Sequence, residues 1–326
     1  MVSPSAVRQP AWAQARVVVT GCTGFLGRHL VAELQEQGAR VVGLVRAPQD
    51  KQRALPPKYA LPPLRDIANP KELATAIDEA DVIFHLAAAS IRGSAPEALL
   101  DQANVDLTRR ILQAVANAAA SPPLVFASSE RVYAPGGALP HSESSALGPT
   151  DAYARSKALA EEDIRSACAE AGLRAAILRC TGVYGPDDPN SSRLVPSILA
   201  ALAEKSVLRL RSDGTARRDF LYVEDAVAAF LAVAARMREA DAACCEVYNV
   251  GSGRPMATRD LAAMALELAQ EPHLGLEFGA LRDDSSWLDC TRLRQDTGWE
   301  AQIDLKEGLR RTWKALATAA DSQAKV

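Results

Sequence analysis

Val17-Val18-Val19-Thr20-Gly21-Cys22-Thr23-Gly24-Phe25-Leu26-Gly27 is the stretch whose reading decides the fold. A β-branched run ends in glycines spaced G-x-x-G-x-x-G, and an amphipathic pattern begins at once: strand, tight turn, helix N-terminus. Glycine lets the backbone turn sharply and come close to a pyrophosphate, and the first helical N–H groups then face its charge. Leu26, Leu30, Val31 and Leu34 recur at helical spacing, and Gly38 stands where a helix C′ glycine would. Arg40 to Arg46 follows as an apolar run suited to a strand buried on both faces.

A site specific for NAD would place an acid about 20 residues past the glycines, to bind the adenosine ribose hydroxyls. Here that place holds Val45 and Arg46. A cation suits a 2′-phosphate instead, and Lys51 and Arg53 can add to it, so NADP(H) is favoured over NAD. The plain alternative is a solvent-facing arginine at a strand end.

Prolines 48, 56, 57, 62 and 63 argue for loop rather than central strand. Asp66-Ile67 follows, then a helix over Pro70 to Glu79. The buried strand Asp81 to Ala89 ends in small residues, and His85 within it reads as a satisfied core histidine. A helix from Ala103 to Ala120, ended by Pro122 and Pro123, leads to the strand Leu124 to Ser129. Strand–helix alternation predicts a parallel sheet with helices on both faces and a ligand beyond the C-terminal strand ends, where Gly21, Ala87 and Ser129 lie.

A second constellation is Asp151-Ala152-Tyr153-Ala154-Arg155-Ser156-Lys157. Asp151 is a helix N-cap, and the alanine-rich helix after it closes at Gly172. Tyr153 and Lys157, four apart, share one face. An ammonium beside a phenol favours the phenolate, and an oxidised nicotinamide nearby favours it further, which fits Tyr153 for general acid–base work.

Composition narrows the class. The 326 residues are 48% hydrophobic and 24% charged with net charge -3, which gives no basic footprint for nucleic acid. No apolar run is long enough for a bilayer, and residues 1–15 hold no secretory h-region, so a cytoplasmic protein with a loose N-terminal extension is expected. The six cysteines make no C-x-x-C pair and no metal spacing; reduced thiols are expected, with Cys244 and Cys245 inside a strand.

These residues together resemble the extended short-chain dehydrogenase/reductase family, the NAD(P)-dependent epimerase/dehydratase group. The resemblance runs from about Arg16 to about Trp313. It rests on Thr20 to Gly27, Asp66-Ile67, His85-Leu86-Ala87-Ala88, Asn104-Val105, Ser128 to Tyr133 and Tyr153 to Lys157. Leu178-Arg179, Val183 to Pro186, Arg218 to Asp225 and Tyr248 to Gly251 extend it. It implies an α/β fold, a Rossmann-type doubly wound parallel sheet with a smaller mixed C-terminal substrate lobe. The sheet would take residues 16–181 and 216–250, the substrate lobe 182–215 and 251–320, leaving a tail at 321–326.

The resemblance also implies a catalytic set of Ser129, Tyr153 and Lys157, with Ser129 also on the substrate. Cofactor contacts would fall on Gly21, Gly24, Phe25, Leu26 and Gly27 at the pyrophosphate, and on Asp66 and Ile67 at adenine. Ala87 and Ala88 would line the middle, Cys180 and Val183 would flank the nicotinamide, and Lys157 would hold its ribose. In relatives acting on nucleotide sugars an arginine at the Arg218 position meets the diphosphate; a second falls near Arg282, although the spacing to Asp289 is short here. Homodimerisation through two helices per subunit is a further implication.

Sugar 4,6-dehydratases resemble a pattern with an acid and then a glutamate base after the serine/threonine position. Those places hold Glu130 and Arg131, and arginine stays protonated, so dehydration is disfavoured. Expected first is 4-epimerisation or 4-ketoreduction of a nucleotide sugar, with reduction of a small non-nucleotide carbonyl compound second. A redox-silent NADP(H) sensor is the non-enzymatic alternative.

Overall fold

Period-two alternation in the apolar runs sorts the core into two layers. Val17, Val19, Phe84, Val125 and Leu178 pack on one side of the sheet, and Val18, Ile83, Phe126 and Ile177 on the other. The computed structural model of the chain describes residues 12–46, 59–88, 97–271 and 273–323. Its elements begin β1 (Arg16–Thr20), α1 (Phe25–Glu36), β2 (Arg40–Val45), β3 (Leu64–Asp66), α2 (Pro70–Asp78), β4 (Val82–His85), α3 (Glu97–Asn117) and β5 (Leu124–Ser129). Next come α4 (Ala152–Ala171), β6 (Arg174–Cys180), β7 (Gly182–Tyr184), α5 (Leu194–Ala203), β8 (Leu208–Ser212), β9 (Arg217–Arg218) and β10 (Phe220–Tyr222). The chain continues through α6 (Val223–Glu239), β11 (Cys244–Val250), β12 (Met256–Ala257) and α7 (Thr258–Leu268). It ends with β13 (Leu276–Leu281), α8 (Thr291–Thr297) and α9 (Leu305–Gln323).

Seven strands in the order β11-β6-β5-β4-β1-β2-β3, all parallel, form the main sheet. Helices α1 and α6 cover one face and α2, α3 and α4 the other, which is the doubly wound Rossmann-type arrangement. The order reverses direction between β1 and β4, so their C-terminal ends open a crevice at the switch point. A third apolar cluster joins α5, α7 and α9 to β8, with Tyr184 and Tyr222 at its border.

Local sequence accounts for the helix ends. Asn69 accepts from the N–H groups of Lys71 and Glu72 ahead of Pro70 at the first turn of α2. Asp151 accepts from Ala154 N at 3.0 Å to start α4, and Gly172, at φ +69°, ends it.

Several expectations change. The N-terminal extension is not loose over its last four residues: Trp12 is 2% exposed in the core, and Gln14 N donates to Gly38 O. Residues 1–11 lie outside the described residues, as do Lys51 and Arg53. The stretch from Gly182 to Asn190, whose glycine, proline and aspartate read as a loop, begins with β7, which pairs with β10. Helix α3 starts six residues before Ala103, at Glu97. Helix α9 continues through Asp321 to Gln323, where a tail was expected, and residues 324–326 are outside the description.

Candidate active site

A parallel sheet brings every C-terminal strand end to one edge, so Gly21, Arg46, Leu86 to Ala88 and Glu130 follow β1, β2, β4 and β5 side by side. The glycine turn is sterically obligatory. Gly21 has φ +70°, and a Cβ there would lie 2.8 Å from Ala87 N; one on Gly27 would lie 2.1 Å from Gly21 O. Gly24 caps α1 without a side-chain hydrogen bond, so the first-turn N–H groups face the crevice. This is a cradle with the shape and dipole a dinucleotide pyrophosphate requires.

Behind the cradle lies a buried polar chain. Thr108 Oγ1 donates to Asn104 O and therefore accepts from His85 Nε2, at 3.0 Å. His85 Nδ1 then accepts from Thr20 Oγ1 at 2.8 Å, while Thr20 Oγ1 accepts from Ala87 N at 3.1 Å. His85 is thus the satisfied core histidine expected, and burial with the Lys157 charge holds it neutral, its pKa lowered to about 3. The chain continues from Asn104 Nδ2 to Ser156 Oγ, which donates to Tyr153 O.

Lys157 reaches from α4 to β5 beside Tyr153, and Ser129 is the last residue of that strand. Lys157 donates to Ala127 O at 2.6 Å, with its nitrogen 4.5 Å from the Phe126 ring centre and 5.8 Å from that of Tyr153. Ser129 Oγ accepts from Arg131 N as the cap of a single 3₁₀ turn. The adjacent Ser128 turns the opposite way and donates to Glu161, which forms a buried pair with Arg179 at 2.6 Å. Geometry therefore separates two serines that composition leaves equivalent.

The electrostatics depart from expectation. Burial pushes the Tyr153 phenol up, and the cations that oppose this are Arg193 and Arg131 rather than Lys157. Burial also lowers Lys157 to about 8, against the pull of Cys180 and Glu161. Desolvation outweighs the single neighbouring ammonium, so in this state the pair does not favour the phenolate.

The other predicted residues are spread around the edge. Phe25 has its ring 5.9 Å from the Arg193 guanidinium carbon, Leu26 packs against the core, and Arg46 is exposed at the end of β2. Asp66 is in register with Val45 and accepts from Ala68 N, but Ile67, expected at adenine, is 4% exposed within the core. Ala88 is half-buried past β4. Cys180 is buried at the end of β6, and Val183 O accepts from Arg193. Arg218 lies on β9 and pairs with Met256 and Ser286. Arg282 is 91% exposed and faces Asp213 at 3.7 Å.

One group was seen in the sequence only as occupying the place of an acid. Glu130, directly after Ser129, accepts from Ser286 Oγ at 3.1 Å and lies 3.3 Å from Thr181 Oγ1, which donates to Asp219 O at 2.8 Å. Burial raises it to about 7 while the Arg218 charge opposes. Among the described residues no group of three or more His, Cys, Asp or Glu could hold a metal, and no helix is long and apolar enough to cross a membrane.

Comparison with known proteins agrees with this geometry. The chain is 32% identical over 322 residues to a dTDP-6-deoxy-L-talose 4-dehydrogenase (NAD(P)(+)) of Kitasatospora kifunensis, covering 95% of this chain and 98% of that one. It is 30% identical to a UDP-glucose 4-epimerase of Mycolicibacterium smegmatis, covering 91% and 97%. A crystal structure of a dTDP-glucose 4,6-dehydratase double mutant from Streptomyces venezuelae with NAD bound superposes with TM-score 0.81 at 27% identity. It spans 94% of this chain and 98% of that one. A sequence model of the NAD dependent epimerase/dehydratase family matches residues 17–251, and the chain belongs to that family.

Proposed function

We propose that the chain moves hydride at the C4 carbinol or keto carbon of a nucleotide-activated sugar, as a 4-epimerase or 4-ketoreductase, with Ser129, Tyr153 and Lys157 as the catalytic set. The observation that supports this reading is Lys157 bonded to Ala127 O and 5.8 Å from the Tyr153 ring centre, at the same edge of the sheet as Ser129 and the Gly21 turn. A nicotinamide dinucleotide supplies the acceptor or donor of the hydride. Gly21, Gly24 and Gly27 admit its pyrophosphate to the α1 N-terminus. Arg46, exposed where an acid would select NAD, is the reason to favour NADP(H).

In the oxidative direction Tyr153 takes the hydroxyl proton as the hydride leaves the same carbon; in reduction it returns a proton to the carbonyl oxygen. Ser129 donates to that oxygen and fixes its place. Lys157 leaves Ala127 O for the nicotinamide ribose, and its charge, with that of Arg193, lowers the cost of the phenolate. Arg218 offers a planar fork to the substrate diphosphate. Dehydration is the less favoured course because Arg131, which stands in the base position, is always protonated and bonds Asp151. A homodimer is proposed on the resemblance alone.

Incubating the purified protein with UDP- and dTDP-sugars, with NAD(H) and NADP(H) in parallel, tests this. Stoichiometric change in nicotinamide absorbance identifies a reductase, and an epimeric sugar without net change an epimerase. A protein that binds cofactor yet does neither would refute the proposal.

A further inference from the structure

Glu130 is a carboxylate with an unusual set of neighbours. Its Oε2 accepts from Ser286 Oγ on the segment after β13 and stands 3.3 Å from Thr181 Oγ1 just past β6, whose own proton goes to Asp219 O at 2.8 Å, so a protonated Glu130 can donate to Thr181. Hydroxyls bond a neutral carboxylic acid as readily as a carboxylate, because either partner can donate. The cation that acts on Glu130 is Arg218 on β9, and the anion is the adjoining Asp219. Asp219 is committed elsewhere: it accepts from Ser252 N at 3.1 Å, from Gly253 N at 3.0 Å and from the Ser252 hydroxyl. Cys180, also at the end of β6, lies within its field but is itself held neutral by burial. Arg218, whose strand bridges the Ser286 that bonds Glu130, is thus the cation that favours the charged form, and the hydroxyls add to it without charge.

We propose that Glu130 takes up a proton when the diphosphate of a substrate settles on Arg218, so that the cleft exchanges one anion for another. This rests on the reading of Arg218 as the diphosphate ligand. The ligand withdraws the cation that favours the carboxylate and brings negative charge beside it, and both effects favour the neutral acid. With burial already holding the group at about 7, the free cleft is poised to accept the proton near neutral pH. Linkage fixes the sign: protonation and anion binding assist each other, so affinity weakens as pH rises above 7 and the free carboxylate must be reprotonated. Glu130 then acts as a pH-dependent gate on substrate entry, one residue from Ser129.

The test is calorimetric titration of UDP-glucose and dTDP-glucose into protein saturated with NADPH or NADH. Reduced nicotinamide cannot accept a hydride from a sugar alcohol, and a diphosphate diester has no proton of its own to exchange in this range. At pH 8, titrations in buffers of different ionisation enthalpy should report uptake of roughly 0.8 of a proton, and Kd should weaken about ten- to fifteenfold from pH 7 to pH 8.5. Glu130→Gln, which mimics the neutral acid, should bind without proton uptake and with a Kd flat across that range. Tight binding by the wild type with buffer-independent heat, or uptake retained in Glu130→Gln, overturns the proposal while leaving the nucleotide-sugar reading intact. Failure of both sugars to bind removes that reading and this one with it.

Discussion

The proposed chemistry places the acid–base work on the Tyr153 phenol, so removing its hydroxyl is the most direct check at the scale of the residue. Tyr153→Phe should lower kcat by about 10²–10⁴ while cofactor binding, followed by nicotinamide fluorescence, is retained. His85 makes a prediction of the opposite kind, about stability. Its folded pKa of about 3 lies below the ordinary value, so between pH 6.5 and 3 the unfolded chain holds a proton that the folded chain refuses. Stability must fall as pH drops through that window, by about 2–5 kcal/mol from this group. Urea unfolding at pH 7 and pH 4.5 should show a larger loss for wild type than for His85→Asn; equal losses would mean that His85 is not held neutral. The proposed catalytic trio was legible in the sequence because a helix puts Tyr153 and Lys157 on one face and Ser129 stands at a strand end. Glu130 was legible only as an occupant of the acid position. Its character comes from Thr181, Ser286 and Arg218, which lie 51 or more residues away and meet it only in the fold.

The turn between β1 and α1 carries the element-scale prediction. Gly27→Ala adds a Cβ 2.1 Å from a backbone oxygen in the turn, and no side-chain rotation relieves that contact. The turn must open, which should cost a few kcal/mol in thermal unfolding and abolish dinucleotide binding. Gly172→Ala is the control: it too faces a backbone cost at φ +69°, but nothing lies within 4 Å of the new methyl. A cost of about 1 kcal/mol with cofactor binding unchanged is expected there. Long periodic elements could be read from the sequence because burial on two faces leaves a continuous apolar run, and α4 carries both its caps. Not every short one could: β8 alternates buried and exposed residues and reads as a strand, but its partner does not. Strands β8 and β13 pair across more than sixty residues, and β13 is largely exposed, so it lacks an alternating pattern. Helix α5 holds Pro196 in its first turn, where the missing N–H costs no intrahelical bond, so a residue that usually reads as a breaker is accommodated.

Across the whole molecule, the cluster around α5, α7 and α9 must be held against the body of core that carries the sheet. One buried carboxylate takes part in that attachment. Asp225, 5% exposed at the start of α6, accepts from Gln302 N at 3.1 Å and Ile303 N at 2.8 Å, just ahead of α9. Its own carbonyl accepts from Trp299 Nε1 at 3.1 Å. Helix α6 packs on the sheet through Val227, Phe230 and Val233, and Leu309 of α9 belongs to the third cluster, so Asp225 links the two bodies of core. Asp225→Ala leaves two amide N–H groups without their acceptor and should destabilise the protein by about 2–4 kcal/mol in urea unfolding. The loss should be regional. Hydrogen exchange should quicken in α9 and α7 first, while β1, β4 and β5, whose bonds run within the sheet, keep their protection. Uniform acceleration across the sheet would show instead that the two cores unfold as one unit and that Asp225 does not define their junction.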